Sequence, residues 1–423
     1  MARTQVHSAS GISSITWGIH TEGETFHRFV HLVAPLLGRF YNLDFWTRIV
    51  PLAAQSQEQI LNATLAITTL YDIPISGAAA ISARVSRRYQ TAIDWYCRSV
   101  EKVGKDDLQG QGDIRSLLIS SILYLFAEMR HMDYQNSERL IISAFTIIYS
   151  SRFTLWNCKD DVVQASLAML IDISFSTAID SSRIPRIHRQ CAIILALKIS
   201  ADFKANELQQ LKLEAAGMML DLNDLVSVDG FGEDDWGNDT DMDKRLLRCQ
   251  QSIMQYHETP GLDIPTQMAL VRLEVLYLTC LVRYEDCRAG PSNRKKMEAG
   301  LERILDLYGA GARFYSRIQT PVIIDAIEVN FVAGCLFVPW HSRHSSVLPR
   351  IRTILNAFVG HSPDLMRQAL EYVEILTNTK RTDSTQLELE LFGQRPLKTL
   401  LYWQQQRCAN HLALLSRRPR SGS

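Results

Sequence analysis

The sequence lacks paired cysteines. Its eight, at 97, 158, 191, 249, 280, 287, 335 and 408, are scattered, and the two nearest, Cys280 and Cys287, stand seven apart. With no C-x2-C anywhere, zinc sites built on paired thiolates are excluded, and a secreted disulfide scaffold would need denser cysteine in a shorter chain. The thiols read as small buried hydrophobes in a reducing compartment. Neither sign of charge is in excess: Lys plus Arg is 45 and Asp plus Glu is 45, a formal net charge of zero. That argues against a chain gripping nucleic acid through bulk positive charge, because phosphate binding rests on clustered Lys and Arg, and leaves room only for a small local basic patch. Long apolar runs are missing too. The two most apolar stretches, 117–129 and 322–340, are interrupted by Ser120, Ser121 and Glu128 and by Asp325 and Glu328, which leaves no membrane span. Residues 1–20 hold one Arg, many Ser and Thr and no continuous apolar stretch, so nothing there reads as a secretory signal. The expectation is a soluble protein made in the cytosol.

Catalytic signatures are absent as well. There is no G-x-S-x-G elbow, no G-x-x-x-x-G-K-[ST] loop, no G-x-G-x-x-G after a strand and no H-E-x-x-H. No catalytic, cofactor-binding or metal-ligating residue is assigned, and no cofactor is expected. Convincing strands are missing, because no segment alternates apolar and polar residues for long enough.

What is present is helical periodicity through most of the 423 residues, 46% of which are apolar. Ile114, Leu117, Leu118, Ser121, Ile122, Leu125, Phe126 and Met129 recur at steps of three and one, which draws one stripe along a helix. Asp113 stands where it can accept from the free amides of that helix's first turn. A second helix is marked by Ile81, Val85, Tyr89, Ala92, Ile93, Tyr96, Val100 and Val103 and is expected to end near Gly104. Leu140, Ala144, Ile147 and Ile148 mark a third, joined to the first by a polar turn around Asp133. Gly309-Ala310-Gly311 reads as a helix end. The fold class that follows is all-α, an irregular array of antiparallel helix pairs.

One break divides the chain. Between 221 and 243 lie nine acids, three glycines (Gly230, Gly232, Gly237) and no Lys or Arg, a composition that reads as a loop. The expected organisation is a flexible N-terminal segment 1–23, a helical half 24–220, the acidic loop 221–243, a second helical half 244–412 and a basic flexible tail 413–423. A smaller basic loop is expected over 288–296.

Within the break, Asp239, Asp241 and Asp243 share the odd spacing of a calcium loop, but Lys244 stands where the turn glycine belongs and no Glu closes it. Asp234-Asp235-Trp236-Gly237-Asn238 has the carboxylates of a magnesium motif, yet lies among glycines. A solvated loop is the stronger reading, with a docking segment carrying Phe231 and Trp236 next. His27 and His31 are four apart on an expected helix and His341 and His344 three apart in a turn; neither pair has the further ligand that metal chemistry needs. Arg84, Arg87 and Arg88 read as a solvated helix face.

Several pieces, in order, resemble the fungal-specific transcription factor domain, the helical regulatory region that in most members follows a six-cysteine binuclear zinc cluster. They are Phe45-Trp46 with Ile49-Val50-Pro51 and the helix 60–70, then Tyr89-Gln90-Thr91-Ala92-Ile93, then 123–128 with Asp133-Tyr134, and finally 343–355. Leu140 falls where many members carry His. The zinc cluster has no matching position, so no direct DNA binding is expected. The resemblance implies a transcriptional regulator, of a fungal secondary-metabolite gene cluster, located in the nucleus (and cytoplasm). It would act through other transcription factors or co-regulators, as a homo- or heterodimer, with a small-molecule effector as a further partner class. The alternative is a helical domain recruited as a cofactor-independent enzyme or small-molecule-binding protein.

Overall fold

The computed structural model describes residues 20–40, 42–71, 87–108, 113–131, 134–176, 184–202, 207–227, 240–288, 291–315 and 346–356, with the single positions 73, 338, 342 and 370. The described chain is almost wholly helical, and no strand occurs among the described residues. The all-α expectation holds. The tail 413–423, His341, His344 and the acids from Asp229 to Asp239 lie outside the described residues.

The helices are α1 (His20–Arg28), α2 (Ala34–Phe40), α3 (Val50–Ser56), α4 (Glu58–Tyr71), α5 (Arg87–Leu108), α6 (Ile114–His131), α7 (Tyr134–Ser150) and α8 (Arg152–Trp156). They continue as α9 (Asp161–Ser176), α10 (Arg186–Asp202), α11 (Glu207–Ser227), α12 (Thr240–Glu258), α13 (Ile264–Cys287), α14 (Pro291–Tyr315) and α15 (Val347–Asn356). Wider π-helical turns at Phe29–Val33 and Phe45–Ile49 run directly into α2 and α3.

Helix α4 is the centre of the N-terminal part. Every residue from Gln59 to Tyr71 is buried, and α1, α3, α5 and α6 all pack on it. Its polar side chains therefore have to be satisfied internally: the Thr64 hydroxyl donates to the Leu61 carbonyl and Thr68 to Thr64, each at 2.7 Å. Some of the residues singled out in the sequence lie in the core around α4 and α6. Trp46 is fully buried, edge-on to Phe45 at 5.3 Å and to Phe126 of α6 at 4.8 Å between ring centroids. Ala92 of α5 is fully buried, and the Tyr96 hydroxyl donates to the Glu128 carboxylate at 2.6 Å.

Helix α6 begins as its periodicity predicts, with the Arg115 amide on the Asp113 carboxylate at 3.3 Å. Three other boundaries differ. Helix α5 passes through Gly104 to Leu108, held by a Lys102–Asp106 ion pair at 2.8 Å one turn apart. Helix α14 passes through Gly309-Ala310-Gly311 because Tyr308 and Ala312 on either side are buried and carry the helix on. It also starts at Pro291, where a proline's missing amide costs nothing in a first turn, so most of the expected basic loop 288–296 is helix. Among the described glycines only Gly261 has a positive φ, 76°, in the tight turn between α12 and α13.

The acidic break is shorter than composition suggests. Helix α11 runs to Ser227 and α12 begins at Thr240, so Asp221, Asp224, Asp241 and Asp243 are helical, and His20 to Gly23 belong to α1 rather than to a flexible segment. The helical acids are stitched across. Arg245 of α12 binds Asp221 of α11 at 2.7 Å, and Arg288 at the end of α13 binds Asp243 at 3.0 Å. The core does not stop at the break: α11 packs on α13, α13 packs back on α2, and one continuous buried cluster extends from Phe26 to Leu355. No described helix is long and apolar enough to cross a membrane.

Helices α13 and α14 cross closely where Gly300 faces Val282. A Cβ at position 300 would meet the Val282 methyl at 3.0 Å, tighter than ordinary contact. Gly300→Val is expected to cost about 1–3 kcal/mol through overpacking, read as a lowered urea midpoint with unchanged slope. A second expectation concerns alkaline pH. Burial pushes Cys249, Cys280, Tyr124 and Tyr277 up to about 12. Folded chain then holds protons that unfolded chain releases, so stability is full below about pH 9 and falls steadily between about pH 9 and 12. Thermal unfolding across that range measures it, and a flat profile would contradict the burial.

Candidate interaction surface

Helix α7 ends at Tyr149-Ser150, and a Ser151 turn leads at once into the five-residue α8. Arg152 is held at this corner. Its guanidinium donates to the Tyr149 carbonyl at 2.7 Å, capping an orphan acceptor of α7. It also lies 4.2 Å from the Tyr149 ring centroid and 4.4 Å from that of Phe153. On its other side Tyr149 stacks on His188 of α10, 4.4 Å between centroids and 22° between planes. At the far end of α8, Lys198 of α10 sits 4.1 Å over the Trp156 ring and donates to the Trp156 carbonyl. Cations over ring faces are attracted by the ring quadrupole, so these pairs fix α8 across α10.

Helix α10 presents two faces. Arg189, Ala192, Ile193, Leu195 and Ala196 are buried, which turns Ile187, Cys191, Ile194 and Lys198 outward, at i, i+4, i+7 and i+11 on one stripe. Helix α8 packs against α10, and the Arg152 charge acts to lower the pKa of the Cys191 thiol. Burial of the thiol still pushes its pKa up overall.

Together the two helices leave four large apolar side chains in water. Phe153 is 74% exposed, Ile187 56%, Ile194 52% and Trp156 46%. Exposed apolar residues are ordinary singly, as with Leu32, Leu43 or Val100; two aromatics and two isoleucines on a pair of packed helices are not. No Asp or Glu occurs in 139–159 or 184–201. Of the acids at the α8 border, Asp160 is engaged by Arg115 and the amides of Val162 and Val163, and Asp161 by Arg48 at 2.8 Å. The face is apolar and cationic.

No family model, curated protein or solved structure matches the chain.

The residues weighed from sequence do not assemble into a site. His27 and His31 do meet, with ring centroids 4.1 Å apart, both exposed. Among the described residues no group of three His, Cys, Asp or Glu could hold a metal ion. Asp241 and Asp243 sit in the first turn of a helix, not a calcium loop. Arg87 and Arg88 are exposed on α5 as expected, and Arg84 lies outside the described residues. Of the thiols, Cys249 and Cys280 are buried as expected, whereas Cys97 is exposed.

Two ion clusters went unread, the first largely buried and the second built on one buried carboxylate. Asp172 of α9 accepts from Lys212 of α11 at 2.9 Å and from Arg272 of α13 at 2.8 Å. Burial, with Arg272 nearby, pulls the Lys212 amine below its ordinary value. In the other cluster Glu274 of α13 takes Arg303 of α14 at 2.7 Å and His257 of α12 at 2.8 Å. Both join three helices, and buried pairs lose most when one partner is cut away. Asp172→Ala removes the carboxylate that both cations contact and is expected to cost about 3–5 kcal/mol. Lys212→Met, which leaves the Asp172–Arg272 pair in place, should change stability far less. Denaturant unfolding of both variants tests the order; equal losses would refute it.

Proposed function

We propose that this chain is a non-enzymatic transcriptional regulator related to the regulatory region of the fungal zinc-cluster regulators, acting in the nucleus through protein partners on a secondary-metabolite gene cluster. The observation that carries the reading is the exposed aromatic and aliphatic face of α8 and α10. A contiguous apolar surface left in water is the mark of an association site, and a chain of zero net charge reaches DNA through such a site rather than by its own field. The family-like pieces add support: Phe45-Trp46, Ala92, Tyr96, Phe126 and Glu128 come together around one buried helix, as expected where a shared pattern encodes a shared core.

The mechanism is association. A DNA-bound partner offers a segment, the face of α8 and α10 buries against it, and recruitment follows from the added contact. A second reading, an enzyme or small-molecule binder, draws on Lys212, whose lowered amine would suit a nucleophile. Against it, that amine is already bound to Asp172.

Deletion of the gene, with transcripts and metabolites profiled beside the parent strain, tests the proposal. Coordinate loss of a set of neighbouring transcripts is the expected result. Unchanged transcripts with one accumulating intermediate would overturn it in favour of the second reading.

A further inference from the structure

Resting on the regulator reading, we infer that the face of α8 and α10 docks an acidic amphipathic helix of a protein partner, with the partner's apolar stripe lying along Ile187, Cys191 and Ile194 and its carboxylates reaching Lys198 and Arg152. Three features point to this occupant. The first is charge: both segments that build the face are free of acids over 139–159 and 184–201, while Asp160 and Asp161 at its border are neutralised internally. An acidic partner meets no repulsion there, whereas a basic one meets Arg152 and Lys198.

The second is shape. Ile187 and Ile194 are two turns apart on one helix, and Phe153 and Trp156 stand exposed on a short helix packed against it. A row of apolar side chains at that spacing matches a helix presenting anchors at i, i+3 or i+4, and i+7.

The third decides between macromolecules. Exposed aromatics beside cations also suit single-stranded nucleic acid, where bases stack on open ring faces. Here the chain's own groups occupy part of the ring surface: Lys198 lies over Trp156, Arg152 over both Tyr149 and Phe153, and His188 stacks on Tyr149. The stripe beside them, Ile187 and Ile194, is aliphatic and more than half exposed, and aliphatic surface is buried by protein rather than by stacked bases.

The test uses the full chain and fluorescently labelled probes read by anisotropy. The probes are a designed 18-residue helix with Leu on one stripe and Glu elsewhere, the same helix with Lys in place of Glu, a 12-nucleotide single strand, and a peptide of residues 226–241 of this chain. The expected result is saturable binding of the Glu helix, weakened roughly tenfold or more by Phe153→Ser and by Ile194→Ser. Both positions are exposed, and unchanged circular dichroism confirms their fold. Lys198→Glu should also weaken binding and flatten its salt dependence.

Equal binding of the Glu and Lys helices, loss of no affinity in the variants, or preferential binding of the oligonucleotide through the same residues would each overturn the inference. So would displacement of the Glu helix by the 226–241 peptide at lower concentration, which would give the face to the chain's own acidic segment. A Phe153-dependent dimer that the Glu helix cannot displace would give it to a second copy. Failure here with transcripts lost in the deletion strain sinks the docking face alone. Binding here with transcripts unchanged sinks the regulator reading instead.

Discussion

A helix buried on every side has no water to satisfy it, so the elements around it must supply what solvent would. Helix α4 is in that position, and its neighbours are arranged accordingly. Ser99 of α5 donates to the Gln59 carbonyl at 2.5 Å and shares a second hydrogen bond with Tyr124 of α6 at 2.7 Å. At the other end Arg130 of α6 reaches the Leu70, Tyr71 and Ile73 carbonyls at 3.1, 3.3 and 2.7 Å and lies over the Tyr71 ring. One guanidinium thus serves the acceptors that a buried helix C-terminus leaves without amides, and its charge complements the negative end of the helix dipole. These bonds set where α5 and α6 sit along α4, and the later helices build outward from that placement.

The C-terminal part is held differently. There the joints between α9, α11, α12, α13 and α14 carry carboxylates that each bind two side chains from other helices, at Asp172 and at Glu274. A shared carboxylate fixes three helices at once with geometric specificity that apolar contact alone does not give. Because α13 also packs on α2, the two parts share one core and the acidic break does not separate them.

Helix existence was legible in the sequence and helix ends were not. The stripe from Ile114 to Met129 and the run from Leu140 to Ile148 appear as α6 and α7 because period and burial agree. Gly104 and Gly309 misled because a glycine ends a helix only when its backbone turns left-handed or its neighbours lose their packing, and neither holds there. Acids misled in the same way: Asp221 and Asp243 read as loop by composition, yet each has an arginine from another helix. Long-range partners of this kind cannot be seen along the chain. Trp46, Ala92 and Phe126, which the sequence singled out, are core residues, so they bear on packing and mark no site.

The exposed face was illegible for a related reason. Ile187 and Ile194 count toward helicity like any core isoleucine, and only the side of α10 that meets its neighbours decides which apolar stripe is inside. A local signal did exist. Phe153 and Trp156 stand three apart in a segment too short to bury both, directly after a Ser150-Ser151 break and just before Asn157 and the Asp160 cap of α9. A five-residue helix cannot close over two aromatic rings, so at least one must face outward or meet something else. With Arg152 and Lys198 drawn onto those rings, the chain covers part of that surface with its own cations. The cations also keep the face in water soluble in the absence of a partner, because ammonium and guanidinium groups carry hydration onto an otherwise apolar patch. The same groups then become the contacts that select an acidic partner over a basic one.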